Sequence, residues 1–115
     1  MLRLTLYWQA QKEMEASYKV FTHLLDENSR LWGQKDDIPC KGRHPTTEWL
    51  PGEVVVDEYE IAVKPDAPSG EYVLEVGMYD AATGERLPVY INGQRSPGDR
   101  VLLEPSIVVK RQGEG

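Results

Sequence analysis

Residues 2–9 read Leu-Arg-Leu-Thr-Leu-Tyr-Trp-Gln, and this stretch decides the fold class. Leu2, Leu4, Leu6 and Trp8 alternate with residues that are mostly more polar. Because successive side chains on a β-strand point to opposite faces, this pattern is typical of a strand that buries one face. The sequence therefore predicts a β-strand at the start of the chain.

The rest of the chain continues in short extended segments. Further strands are predicted at 18–25, 31–35, 53–63, 72–79, 85–91 and about 100–110, the last with a break at Pro105. Segment 18–25 is apolar on both faces, which indicates a central strand. Eight prolines and ten glycines punctuate these segments, and no long helical periodicity is present. We predict an all-β fold, a seven- to eight-stranded antiparallel β-sandwich of immunoglobulin-like or jelly-roll-like type.

Residues 68–72, Pro-Ser-Gly-Glu-Tyr, place a tyrosine at the start of a predicted strand, after a proline-rich connection. This is the setting of a tyrosine corner, in which the hydroxyl group bonds to backbone across the connection. The alternative is that Tyr72 simply packs at the end of its strand.

Composition and charge restrict the classes of partner. The 115 residues are 40% hydrophobic and 28% charged, which is typical of one soluble globular domain spanning 1–115. The net charge of −6 disfavours binding to nucleic acid. No apolar run approaches the roughly 20 residues of a membrane helix, so we expect no direct membrane insertion of this segment. Because a strand begins at the second residue, we expect the chain to be excised from a longer protein.

The residues suited to catalysis or metal binding do not form a recognisable pattern. Cys40 is the only cysteine, and His23 and His44 are the only histidines. Cys40 and His44 supply at most two of the four ligands of a structural zinc site. We therefore expect no enzyme, no catalytic residues, no metal and no cofactor; a calcium role for the acidic pair Asp36 and Asp37 stays open.

Aromatic residues provide the candidate binding site. Trp32, Gln34 and Asp36 share one side of the predicted third strand, and an indole face beside an amide and a carboxylate suits a sugar ring. Trp49, in the long loop at 36–51, is a candidate second platform. The alternative is that both tryptophans cover edges of the core, since tryptophan is usually well buried.

Several segments together resemble the β-sandwich module at the C-terminal end of bacterial multi-pass membrane glycosyltransferases related to protein mannosyltransferases. They lie at 4–10, 18–26, 34–37, 45–49, 51–54, 70–72, 76–80 and 83–87, and include Val-Gly-Met-Tyr-Asp at 76–80 and Thr-Gly-Glu-Arg-Leu at 83–87. The resemblance spans about residues 2–109 and depends on the order and spacing of these segments.

The resemblance implies a membrane-embedded parent protein with this domain on the extracytoplasmic side of a bacterial membrane. Catalysis would then belong to the membrane part, and the family supplies no catalytic residues to transfer to this chain. The expected function is a non-catalytic accessory domain for substrate or partner recognition, with a glycan or the membrane-embedded part of the parent as partner. Two alternatives stay open, a carbohydrate-binding module and a structural spacer domain.

Overall fold

The regular structure consists of antiparallel β-strands. The structure is a computed structural model that describes residues 1–110, so the end of the predicted domain, residues 111–115, lies outside the described residues. The strands are β1 (Leu2–Gln9), β2 (Tyr18–Leu25), β3 (Leu31–Gln34), β4 (Val54–Ile61), β5 (Gly70–Asp80), β6 (Tyr90–Ile91), β7 (Gln94–Arg95) and β8 (Val101–Val109). A single 3-10 turn at Thr46–Glu48 is the only helical element of this part of the chain. The predicted all-β class is confirmed.

The strands form three sheets, one of four strands and two of two strands. β1 pairs with β4 along all eight residues of each, from Leu2 opposite Ile61 to Gln9 opposite Val54. A four-stranded sheet has the order β3-β2-β5-β8, so β2 is a central strand as its two apolar faces predict. β6 and β7 form a small hairpin around Asn92 and Gly93, both of which have positive φ angles.

One core joins the two larger sheets. Alternate side chains of β4 are buried, because only one face of this strand packs into the core. In β5 every residue of 72–78 except Val73 is buried, because both of its faces are covered. The leucines of β1 and Trp8 are half-buried and pack against the same cluster. Its fully and nearly fully buried members are Ala10, Val20, Leu24, Trp49, Val55, Tyr59, Ile61, Ala67, Tyr72, Leu74 and Met78.

A carboxylate lies inside this core. Asp57 of β4 is fully buried and accepts hydrogen bonds from the Trp8 indole, the Tyr59 hydroxyl and the Cys40 backbone N–H at 3.1, 2.6 and 2.8 Å. Burial and the hydrogen bond to Asp57 raise the pKa of Tyr59 far above its usual value. Because its donors come from β1, β4 and the loop at 38–44, Asp57 holds these three parts together.

The connection between β4 and β5 contains the tyrosine corner. The Tyr72 hydroxyl donates to the carbonyl of Pro68 at 2.5 Å, across the turn that begins after Val63. Of the two alternatives for Tyr72, the backbone hydrogen bond is therefore the one observed.

The predicted strand at 85–91 is wrong over most of its length. Arg86 makes one isolated bridge with Tyr79, and only Tyr90 and Ile91 belong to a strand. Pro88 has no N–H group with which to continue a ladder along β5. Leu87 makes the last backbone hydrogen bond to β5, at Met78, before the chain leaves the sheet.

Within residues 1–110, no helix has the length and apolar character that crossing a bilayer requires.

Asp57→Ala tests the buried carboxylate. The change removes a fully buried acceptor from three donors, of which the Tyr59 hydroxyl is itself buried, so we expect a loss of about 3–5 kcal/mol in the free energy of unfolding. Tyr59→Phe removes one donor and leaves the other two hydrogen bonds, and is expected to cost about 1 kcal/mol. Urea denaturation of both variants measures the difference; equal losses would contradict a shared role for Asp57.

Candidate functional site

Trp32 occupies an irregular position on β3. Leu24 of β2 lies opposite Gly33, whereas the next residue, Leu25, lies opposite Leu31, so Trp32 is the extra residue of a β-bulge. A bulge redirects the side chain of the residue it contains. The Trp32 ring is half-buried, packs against the margin of the core and lines a groove at the end of the four-stranded sheet.

The turn between β2 and β3 fixes the Trp32 ring. One carboxylate oxygen of Asp26 accepts the backbone N–H groups of Asn28 and Arg30, and the other accepts the Trp32 indole N–H at 2.9 Å. The indole and Arg30 backbone hydrogen bonds hold the pKa of Asp26 below its usual value. Asp26 is therefore an anionic anchor for the ring, and its own bonds to the turn keep it in place.

Two cations lie near the face of the ring. The Arg30 guanidinium carbon and the Lys64 ammonium nitrogen are 5.7 and 6.0 Å from the ring centroid. Such contacts contribute only about 0.5–1 kcal/mol at an exposed site, and a ligand that stacks on the ring can displace them.

The groove beside Trp32 has a volume of about 620 Å³, within the range of small-ligand sites. Tyr72 and Pro68, the partners of the tyrosine corner, contribute to its wall, and the exposed carboxylates of Glu27 and Glu71 also line it. The groove therefore combines one aromatic face with charged and hydroxyl-bearing groups, the chemistry that a polyhydroxylated ligand requires.

The predicted binding residues do not all meet at this groove. Gln34 is exposed on β3 and lies opposite His23 of β2 rather than in the groove lining. Asp36 turns to another cluster on the four-stranded sheet, where it accepts the Tyr79 hydroxyl at 3.3 Å. Of the four candidates, Trp32 alone lines the groove.

Trp49 is a core residue and not a surface platform. Only 3% of it is exposed, and its indole N–H donates to the His44 carbonyl at 2.9 Å. The 3-10 turn that precedes Trp49 carries buried Thr46, whose hydroxyl donates to the Ala16 carbonyl and accepts the Tyr18 N–H. These contacts tie the loop to the start of β2 and direct the ring inward, which explains the difference from the sequence prediction.

The second cluster is centred on Glu75, a buried acid in the middle of β5. Its carboxylate accepts the Arg100 guanidinium at 2.6 Å, the His23 Nδ1 at 2.9 Å and the Arg86 guanidinium at 3.2 Å. The Glu75 side chain is 6% exposed. Burial opposes ionisation, but hydrogen bonds from Arg100 and His23 and the charges of the two arginines outweigh it, so the pKa of Glu75 lies below its usual value.

His23 lies between two carboxylates in this cluster. Its Nδ1 donates to ionised Glu75, and its Nε2 lies 3.3 Å from Asp36 Oδ1. The contact between Nε2 and Asp36 Oδ1 is at ion-pair distance but lacks hydrogen-bond geometry. Both atoms are buried, and neither has a hydrogen-bond partner in the described part of the chain. That contact is attractive only when the imidazole carries a proton on Nε2.

An aromatic layer supports the same cluster. The Phe21 ring lies over Gly77 of β5, and the Arg86 guanidinium carbon stacks on it 4.1 Å from the centroid. Arg86 thereby contacts both Phe21 and Glu75, and it also donates to the Gly98 carbonyl. The Glu75 cluster therefore attaches the 81–100 segment to the outer face of β2 and β5, which is a structural role.

The Glu75 cluster was not predicted, although the sequence contains one signal for it. Glu75 interrupts the apolar run of β5, and a charged residue at such a position normally requires partners. The partners themselves come from distant segments, so the sequence alone does not name them.

The residues considered for zinc have other partners. The Cys40 thiol donates to the Val56 carbonyl at 3.3 Å, and His44 Nε2 lies 2.9 Å from Glu53. Burial, followed by the negative charges of Asp57 and Glu53, raises the pKa of Cys40 above its usual value. Among residues 1–110, no group of three or more His, Cys, Asp or Glu side chains is arranged to hold a metal ion.

No protein-family model, curated protein or solved structure matches the chain.

The pH dependence of stability tests the Glu75 cluster. Because the folded-state pKa of Glu75 is lowered, its stabilisation is complete above the ordinary value of 4.5 and is lost as the pH falls through the folded value. We expect Glu75→Gln to reduce the loss of stability between neutral and acidic pH, measured by urea denaturation across pH 3–7. Glu58→Gln, at an exposed position of β4, is the control; equal pH profiles for the two variants would contradict the assignment.

Gly77→Ala tests the layer beneath Arg86. A β-carbon at this position would lie 2.5 Å from a Phe21 ring carbon, so the ring must move and disturb its contact with Arg86. We expect a loss of about 1–3 kcal/mol in the free energy of unfolding. In a Phe21→Leu background the added methyl group should cost clearly less, and an unchanged cost would refute this packing.

Proposed function

We propose that this chain is a non-catalytic recognition domain that binds glycan in the groove beside Trp32. The proposed overall architecture is a two-layered β-sandwich, and the proposed setting is the extracytoplasmic side of a bacterial membrane, as an accessory domain of a glycosyltransferase-related protein. The residues quoted for the resemblance support the setting, and the groove supports the ligand.

The single observation that carries the proposal is the restrained indole face in an open groove that has both apolar and polar lining groups. Asp26 orients the ring before any ligand arrives, which lowers the entropy cost of binding. The aromatic face provides a surface for the C–H side of a sugar ring, while Glu27, Glu71 and the backbone around Gly70 provide hydrogen-bonding groups for hydroxyls. Gln34, Asp36 and Trp49 are not part of this revised contact set, because their side chains lie elsewhere.

A titration with soluble oligosaccharides of mannose, glucose, galactose and N-acetylglucosamine tests the proposal. We expect at least one of these oligosaccharide series to change the tryptophan fluorescence and to show binding in isothermal titration calorimetry. Trp32→Leu should weaken that binding about tenfold, equivalent to ~1.4 kcal/mol, because leucine keeps an apolar side chain but has no ring face.

Tyr7→Leu is the matched control, since it also replaces an exposed aromatic residue by leucine, on the β1–β4 sheet. It should leave the affinity unchanged. Absence of binding throughout the panel would refute glycan recognition and favour the structural spacer. Binding that Trp32→Leu does not affect would refute this groove as the site.

The proposed parent protein has a separate test in the full reading frame of the gene. Several apolar segments of about 20 residues upstream of this domain are expected. A frame without them would refute the membrane-embedded parent and leave the glycan titration unaffected.

A further inference from the structure

The outer edge of β1 is a long row of backbone groups without a neighbouring strand. Among residues 1–110, β1 pairs with β4 and with no other strand. Its eight residues keep an uninterrupted register, contain no proline and carry a single charge, on Arg3. Proteins normally protect such an edge with prolines, bulges, charges or a covering loop, because its free N–H and C=O groups attract another strand.

The other edges of the two larger sheets carry that protection. Cys40, in the loop beside β4, donates to the β4 carbonyl of Val56. β3 is bridged to Val63 and its Trp32 carbonyl accepts the Lys64 N–H. β8 contains Pro105 within an irregular register that skips from Leu103 to Ile107. The open edge of β1 is therefore an exception within this fold.

An apolar groove of about 380 Å³ lies beside that edge. Leu6 and Trp8 of β1 line one side, and Met78 of β5 with Val101 and Leu103 of β8 line the other. Segment 87–89, which follows β5, also contributes to the lining. The groove exists because two strands on one side of the core face four on the other, so the inner side chains of β8 stay only half-buried. One additional strand beside β1 would cover them.

We propose that the edge of β1 binds an extended peptide segment of a partner protein, added as an antiparallel or parallel third strand. The backbone edge specifies a strand, and the groove beneath specifies apolar side chains at every second position. Arg3, the only charge on β1, favours an acidic residue at the facing position on the outer side of that segment. This site is separate from the Trp32 groove and does not depend on the glycan proposal.

A second copy of the chain does not fit this edge as well as an isolated segment. In a two-fold pairing of β1 with β1, each copy would bring its own β5 into the space that β8 of the other copy occupies. A peptide segment has no such attached sheet, so it can enter without displacing β8.

Synthetic ten-residue peptides in which valine alternates with threonine, with one threonine replaced by glutamate, provide the probe. We expect binding to the full 115-residue chain to slow the hydrogen exchange of alternate β1 amides at least tenfold, measured by NMR. Two peptides with N-methyl groups on alternate residues, in opposite phases, separate strand addition from unspecific apolar contact. One phase should weaken binding at least tenfold, and the other should leave it nearly unchanged.

A charge exchange provides the second measurement. Arg3 lies on the exposed face of β1 opposite Glu60 of β4, so Arg3→Glu brings two like charges together in solvent and should lower the urea midpoint slightly while the protein stays folded. The variant should bind the glutamate peptide more weakly, and a peptide with lysine in its place more tightly. Arg43→Glu, in the exposed loop at 41–43, is the matched control and should change neither affinity. Equal binding of both N-methylated phases, no binding at 1 mM peptide, or dimerisation of the chain through β1 in sedimentation experiments would each overturn the proposal.

Discussion

The three hydrogen bonds that converge on buried Asp57 are the constraint on which the rest of the structure depends. They join β1 through Trp8, β4 through Tyr59 and the long loop through Cys40. A buried carboxylate is unfavourable unless donors surround it, so these three parts of the chain must come together in one arrangement. Apolar side chains at the same positions would also pack together, but they would fix the relative positions of these three parts much less strictly.

The four-stranded sheet has a comparable polar cluster on its other face. Glu75 binds two arginines and a histidine, and Arg86 stacks on Phe21 above Gly77. Asp57 thus organises the side of the fold that carries β1, whereas Glu75 attaches the 81–100 segment. The two candidate interaction sites lie where the strand pairing changes, at the bulge of β3 and at the unpaired edge of β1. The groove beside β1 shares Trp8 with the Asp57 cluster.

The strands β1, β2, β4 and β5 could be predicted because their side chains alternate or form apolar runs bounded by turn residues. The segment at 85–91 has a similar composition but does not form a continuous strand. Pro88 interrupts its backbone hydrogen bonding, and Arg86 forms a hydrogen bond with Glu75. Trp32 could be predicted as a binding residue because it lies on a strand beside polar residues. The burial of Trp49 could not be predicted in the same way. Its indole N–H binds the His44 carbonyl and the neighbouring Thr46 hydroxyl binds the Ala16 carbonyl, and both contacts depend on the conformation of the loop. No periodic sequence pattern indicates that conformation. Asp57 shares the inner side of β4 with Val55, Tyr59 and Ile61, so its position was visible in the sequence, although its donors were not.

Each of the three tryptophans donates its indole N–H to a different fixed acceptor: Asp57, Asp26 and the His44 carbonyl. Two of these acceptors are carboxylates and one is a peptide carbonyl; Trp49 is buried, whereas Trp8 and Trp32 are half-buried. The three indole N–H groups should therefore give three well-separated proton–nitrogen resonances. One spectrum of protein enriched in nitrogen-15 would then follow the Asp57 centre, the turn that holds Trp32 and the long loop separately, without any attached probe group.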